Sequence, residues 1–327
     1  MSDMHAGWHG RRVIVTGAAG FIGANVVRAL VRAGAQVVAV VREHTSLDPL
    51  GEVVRTIQVE RWDVTAPACE ALGARVGGAD VVMHLAAGGT HDHGRDLRQL
   101  VDVNVLGAVR ALEMARQAGA RVFLHAGSAT EYGAGVLLAE TAPLQPKSNY
   151  GVTKTAGWLA VRARAEAEGL AAISLRLFTP YGPFEGRPRL VPHVVLHALR
   201  GDDIPLTPAR QTRDWLFVDD AVEAFLRAGL RTDLHGEVFN ICSGEEVRVL
   251  DVAETIVRLT GGRVRVVAGA TPYRPDEPMR SSGDPSHAAA VLGWRAATPL
   301  EEGLRRALAW WEQTLTQSAA VGGGSRA

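Results

Sequence analysis

A glycine-rich turn near the start of the chain constrains its fold more than any other feature. The apolar run Val13-Ile14-Val15 enters Thr16-Gly17-Ala18-Ala19-Gly20-Phe21-Ile22-Gly23 and leaves into a stretch whose apolar residues recur three or four positions apart. A strand that passes through glycines straight into a helix opens a βαβ unit. Gly17 is read as the residue of the tight turn, Gly20 as the point where a pyrophosphate approaches the backbone, and Gly23 as the close contact between helix and strand. The helix start adds free N–H groups and a partial positive charge. This turn predicts a bound dinucleotide.

The rest of the first half repeats the alternation. Short apolar runs at Arg12–Thr16, Gln36–Val41, Thr56–Glu60, Val81–Leu85, Arg121–His125 and Ala172–Arg176 are read as strands buried on both faces. Phe21–Ala33, Asp96–Ala118 and Tyr150–Gly169 have helical periodicity and are read as crossover helices. The expected fold class is α/β, a doubly wound parallel sheet of Rossmann type with a smaller interleaved C-terminal substrate-binding lobe. After Arg176 the prolines at 180, 183, 188, 192, 205 and 208 mark the change of lobe. Trp215–Val218, the helical Asp220–Ala228 and Val238–Ile241 read as a return to the main sheet, Arg263–Val267 as a further strand, and Leu300–Trp311 as a closing amphipathic helix, in which Trp310 and Trp311 read as packing residues. The expected division is 1–178 with 213–243 for the dinucleotide domain, 179–212 and 244–316 for the substrate lobe, and a free tail over 317–327.

Thirty-five basic residues balance 35 acidic ones, so no net field gathers nucleic acid or an anionic membrane. Cys69 and Cys242 lie far apart without CxxC spacing, which points away from a disulfide framework or zinc. Met1–Gly10 lacks the order of a secretory signal, and no apolar run approaches the roughly 20 residues of a membrane span. A cytoplasmic protein is the expectation.

Two positions bear on the cofactor. Arg42, at the end of the second strand, suits a 2′-phosphate and favours NADP over NAD, although surface arginines at strand ends are common. Asp63, after the third strand, is placed to accept from an adenine amino group, or serves as a plain turn acid. Tyr150 and Lys154 are four apart and share a helix face, where an ammonium beside the phenol, with a nicotinium ring nearby, is expected to pull its pKa down and make it a general acid or base. Ser128, after the fifth strand, is placed to hold the same substrate oxygen. His91-Asp92-His93 is a weak metal candidate, better read as a loop that edges a pocket. No metal is expected.

Together these motifs resemble the extended short-chain dehydrogenases/reductases, in the nucleotide-sugar epimerase, dehydratase and reductase group. The matching stretches are the glycine turn, His84-Leu85-Ala86-Ala87, Asn104-Val105-x-Gly107, Ser128-x-x-x-Tyr132-Gly133, Tyr150-x-x-x-Lys154, Tyr181-Gly182-Pro183 and Arg213-Asp214-Trp215-x-x-Val218-Asp219-Asp220. The resemblance implies that Phe21, Ile22, Val64, Leu85, Ala86, Ala87 and Asn104 help hold NAD or NADP. It implies that Ala129, Thr130, Thr179 and Tyr181 border the substrate, and that Arg213 and Arg274 grip its diphosphate. A pairing of Arg213 with Asp214, Asp219 and Asp220 is the competing structural reading. A homodimer through helices 96–118 and 150–169 is implied as well.

Within that group, 4,6-dehydratases carry an Asp-Glu pair directly after the hydroxyl residue, where this chain has Ala129-Thr130; Glu131 is displaced by one position and is expected to point elsewhere. Ser128-Ala129-Thr130 looks like the corresponding stretch of 4-epimerases, so transient oxidation of a sugar C4 hydroxyl is the first expectation. An NADPH-dependent 4-ketoreductase is the second. A dinucleotide-sensing protein without activity would have no need of Ser128, Tyr150 and Lys154.

Overall fold

The computed structural model describes residues 6–66, 75–89 and 96–323. Its centre is a parallel sheet of seven strands, β1 (Arg12–Thr16), β2 (Gln36–Val41), β3 (Gln58–Arg61), β4 (Val81–His84), β5 (Val122–Ser128), β6 (Ala171–Leu177) and β7 (Glu237–Ile241), in the order β7-β6-β5-β4-β1-β2-β3. Side chains alternate across it. Val13, Val15, Val37, Met83, Leu124 and Ile173 face one apolar layer, and Ile14, Val38, Val82, Phe123 and Ala172 face the other. Burial on both sides explains why these strands read as continuous apolar runs.

The first layer is closed by α1 (Phe21–Arg32) and α5 (Val218–Gly229), and the second by α2 (Gly107–Gln117) and α3 (Asn149–Glu168). Further along the chain, α4 (Leu190–Arg200) packs against α6 (Val249–Leu259), and α7 (Leu300–Gly323) touches both. The doubly wound α/β class is as expected, and β7 does return to the main sheet beside β6.

Several elements depart from the sequence expectation. Residues 96–118 are not one even helix: Leu97–Leu100 leads into a π-helical turn, Val101–Leu106, before α2. The wider turn buries Asn104, and π turns of this kind collect at functional sites. Leu216–Phe217 does not join the main sheet but pairs with Pro180–Tyr181, and Val266–Ala268 pairs with Ile204–Leu206. Too short to span the sheet, these pieces brace the segments that leave β6 and β7. Helix α7 continues to Gly323, past Gln317 where a free tail was expected. Ser318, Ala319 and Ala320 extend an existing helix without a new nucleation step. No helix among the described residues is long and apolar enough to cross a membrane. Cys242 is a buried free thiol, while Cys69 and the His91-Asp92-His93 segment lie outside the described residues.

Candidate active site

The carboxyl ends of β1, β2 and β4 meet at the glycine turn, where the Ala18 amide donates to the Val40 carbonyl and the Leu85 amide to that of Thr16. Gly17 has φ 67°, in the left-handed region, and a Cβ there would come within 2.7 Å of the Ala86 nitrogen. A Cβ on Gly23 would lie 2.1 Å from the Gly17 carbonyl oxygen, so the helix could not seat on the turn. Helix α1 begins at Gly20 with no side-chain cap and no acidic residue in its first turn. Its first N–H groups therefore face the turn free of any anion from the chain itself, and a dinucleotide pyrophosphate fits there. Phe21 and Ile22 are half-buried in this first turn.

Other residues expected near the cofactor fall into two groups. Leu85 and Ala86 lie against the turn, their amides donating to the Thr16 carbonyl oxygen (3.2 Å) and hydroxyl (3.4 Å); Ala87 follows, exposed. Arg42 is exposed just beyond β2. Asp63 closes a local turn, accepting from the Thr65 amide at 2.9 Å and hydroxyl at 2.8 Å, and Val64 is buried. Asn104 accepts from the Gly88 amide (2.8 Å) and donates to the Gly88 carbonyl (3.1 Å) and the Thr153 hydroxyl (3.0 Å). Its amide thus ties the loop after β4 to α3.

Strand β5 runs on to Ser128, so the sheet itself carries the serine. The chain then makes a short helical turn, Ala129–Glu131, capped reciprocally: the Ser128 hydroxyl accepts from the Thr130 amide, and Glu131 Oε1 accepts from the Ser128 amide at 2.8 Å. The other oxygen of Glu131 pairs with Arg176 Nε on β6 at 2.8 Å, with both side chains buried. Arg176 also donates to the Tyr132 hydroxyl (2.7 Å), which donates on to Asn240 Oδ1 on β7 (2.8 Å). Glu131 does point elsewhere, as expected from its displacement. It is the bolt that fixes the serine turn to the sheet.

Tyr150 and Lys154 share the face of α3 that meets this turn. Burial pushes the Tyr150 phenol up to about 12, with Glu131 adding to the effect and Arg189 and a hydrogen bond with Ser128 opposing it. The expectation that Lys154 draws the phenol down with a nicotinium ring nearby concerns the site with its cofactor bound. Within the protein alone desolvation prevails, and Lys154 is turned to the sheet, its Nζ 3.1 Å from His125 Nε2. Burial lowers the amine from 10.5 to about 8, with Glu131 opposing.

The expected substrate residues are only partly brought together. Arg213 and Arg274 do meet, though not through Asp214, Asp219 or Asp220: both guanidinium groups close on the carboxylate of Glu277, Arg274 at 2.6 Å. Asp214 instead accepts from Ser243 and the Gly244 amide, Asp219 pairs with Arg306, and Asp220 accepts from the Ala297 and Thr298 amides. Backbone ladders connect the arginines to the serine turn, since the Asp214 amide donates to Ser281 and Ser281–Gly283 pairs with Gly135–Leu138. Thr179 is half-buried, its carbonyl accepting from Leu216. Tyr181 is corrected: it is fully buried against Trp215 and Phe217, with its hydroxyl donating to the Leu300 carbonyl at 3.1 Å. Its aromatic bulk fills the core beneath the cleft and offers no surface to a substrate.

Sequence reasoning passed over the partner of Glu131, Arg176, and with it His125 and the Glu185–Arg189 pair. Glu185 is buried and pairs with Arg189 at 2.7 Å, and desolvation raises its carboxyl to about 7. Asn25 on α1 donates to the Phe21 and Pro183 carbonyls, both at 2.9 Å, so the glycine turn is tied to this segment. Only the i, i+4 spacing of Glu185 and Arg189 hinted at it.

A family model described as the NAD dependent epimerase/dehydratase family matches residues 13–242. The dTDP-glucose 4,6-dehydratase of Neisseria meningitidis is 31% identical over 332 residues, covering 92% of this chain and 93% of that protein. Among solved structures, the UDP-glucose 4-epimerase of Thermotoga maritima with UDP-glucose superposes with a TM-score of 0.85 at 27% identity, over 93% of this chain and 99% of that one. The UDP-glucuronic acid 4-epimerase of Bacillus cereus, in complex with UDP-glucuronic acid and NAD, gives 0.83 at 26% over the same shares.

Proposed function

The chain belongs to the NAD dependent epimerase/dehydratase family, a family of enzymes, and within it we propose that this protein is a nucleotide-sugar 4-epimerase. The observation that carries the choice is the serine turn: after Ser128 come Ala129 and Thr130, and the neighbouring carboxylate, Glu131, is consumed by Arg176 and the Ser128 amide. Elimination of water requires an acid and a base poised beside the sugar; epimerisation at C4 requires only one group that takes a proton and gives it back. Tyr150 is that group. As phenolate, which the positive nicotinamide ring of bound NAD would favour against the desolvation that raises the phenol in the protein alone, it would accept the proton of the 4-hydroxyl and return it to the rebuilt alcohol, while Ser128 holds the reacting oxygen. Lys154, on the same helix face, supplies positive charge beneath the pair.

NAD, held on the glycine turn and by the residues beside it, would supply the acceptor and donor of the C4 hydride. The family's dependence on NAD argues against the preference for a 2′-phosphate first read into Arg42. Arg213 and Arg274 are proposed to receive the substrate diphosphate, sharing their hydrogen bonds with Glu277. The segments 179–212 and 244–316 form the substrate lobe, and 1–178 with 213–243 the dinucleotide domain. A homodimer through the helices of 96–118 and 150–169 completes the proposal; Leu97, Val101, Leu106, Val152 and Leu159 are large apolar side chains left exposed there.

The deciding experiment incubates the purified protein with UDP- and dTDP-hexoses, without added cofactor, and follows the sugar by proton NMR. Interconversion of the C4 epimers is expected. A 4-keto-6-deoxy product would make it a dehydratase. Turnover only with stoichiometric reduced cofactor, and only on 4-keto sugars, would make it a reductase.

A further inference from the structure

The parallel sheet carries a polar row through an otherwise apolar layer. Thr16, His84, His125 and Ser174 are direct neighbours in register on β1, β4, β5 and β6. All four are completely or almost completely buried. They face the layer of α3, where the His125 ring stacks on Trp158 with centroids 5.8 Å apart and on His84 at 6.2 Å. Apolar residues would pack here without polar atoms to satisfy, so a row of this kind needs a chemical reason.

The hydrogen bonds supply one. His125 Nδ1 is 3.1 Å from the Ser174 hydroxyl, and Nε2 is 3.1 Å from Lys154 Nζ. An ammonium has only donors to offer, so Nε2 must be bare. A neutral ring then carries its proton on Nδ1 and donates it to Ser174, which sets both tautomer and ring plane. Burial, together with Lys154, His84 and Arg176, holds His125 well below its ordinary range, which keeps Nε2 unprotonated.

We propose that His125, oriented by Ser174, is a positioning residue for Lys154: it is the fixed acceptor that holds the lysine amine against the sheet and favours its charged form. The proposal rests on the reading of Lys154 as the electrostatic partner of Tyr150. Charged and titratable groups around the amine are Tyr150 on its own helix, Glu131 in the serine turn, His84 on β4, His125 on β5 and Arg176 on β6. Of these, Glu131 favours the ammonium by its charge but is already engaged by Arg176, and His125 Nε2 lies within hydrogen-bond reach of the amine. The chain has only two lysines, Lys147 and Lys154, among its 35 basic residues. Arginine would stay charged without help, whereas lysine in a buried site needs an acceptor.

Two lysines also make the test clean. In protein labelled with 13C-lysine, the exposed Lys147 serves as reference, and the Lys154 ε-carbon is expected to titrate near 8. In His125→Phe its midpoint falls by about one pH unit or more, the loss of one charge-assisted hydrogen bond. His125→Gln, which keeps an acceptor, recovers at least half of that fall. The alkaline limb of kcat/KM moves down in step, since the amine loses its proton at lower pH. An unmoved Lys154 midpoint in folded His125→Phe overturns the proposal. Should that variant fail to fold, 15N shifts of the wild-type histidines decide it: a proton on His125 Nε2 overturns the proposal, and one on Nδ1 supports it. The NMR readouts do not require turnover, so retention of activity in Tyr150→Phe would overturn the catalytic reading and leave the pairing of His125 with Lys154 to be judged separately.

Discussion

Burial holds the Lys154 amine at about 8 rather than 10.5, which costs the fold stability. A lysine in the unfolded chain keeps its ordinary value, so between roughly pH 8 and 10.5 the unfolded state binds more protons and stability rises with pH; below 8 the whole penalty is present. Lys154→Met should therefore unfold later in denaturant at pH 7, by on the order of 3 kcal/mol, and should lose the rise in stability across the alkaline window. The same variant should be nearly inactive, since sites that depend on strained or desolvated groups trade stability for function. Urea titrations at pH 7 and pH 10 check both signs, and equal stability of variant and wild type at pH 7 would refute the penalty. Tyr150→Phe is the complementary change. It removes the hydroxyl proposed to exchange a proton with the sugar, so turnover should drop by about 10²- to 10⁴-fold while the purified protein retains its nicotinamide absorbance.

At the scale of elements, the serine turn depends on one buried carboxylate. Glu131 caps the Ser128 amide and pairs with Arg176, and removing one partner of a buried ion pair typically costs 3–5 kcal/mol, about that much being expected of Glu131→Ala. Calorimetry should show the loss, and the residual enzyme should bind its cofactor while turning over slowly, because the glycine turn is elsewhere. The local sequence showed that Glu131 is displaced from the dehydratase position but not where it points, because its partner lies 45 positions away. The same contrast runs through the fold. β1 and β2 were legible to the residue, and Ser128, Tyr150 and Lys154 were legible as a set, because these rest on local periodicity and spacing. The π turn at 101–106, the brace between 180–181 and 216–217, and the burial of Tyr181 were not, because each is decided by distant packing. The partner of the amine was hidden for the same reason: spacing put Lys154 on the helix face of Tyr150, and the sheet brought His125 to 3.1 Å from its Nζ.

For the molecule as a whole, two helices present apolar side chains that its own core does not cover. Leu97 and Val101 are one turn apart, and Val152 and Leu159 are two turns apart on α3, so each pair lies on one stripe; Leu159 is 49% exposed and Leu97 43%. The π turn and α3 pack side by side, Gly157 so close that a Cβ would stand 2.2 Å from the Asn104 carbonyl oxygen. The two stripes thus form one continuous face, and a twofold partner would bury it against its equal. Continuity with the site would give the proposed dimer a functional consequence, since Asn104 and Thr153 lie on the inner side of these same elements and join the loop after β4 to α3. Leu159→Glu places a charge in the middle of the face and should give monomers at micromolar concentration by sedimentation velocity, where the wild type sediments as a dimer. The variant should keep its fold, because Leu159 is not part of the core, and should lose part of its turnover as α3 loosens under Tyr150. A wild type that is monomeric at every concentration would refute the dimer, and a monomeric variant with undiminished kcat would separate the interface from the site.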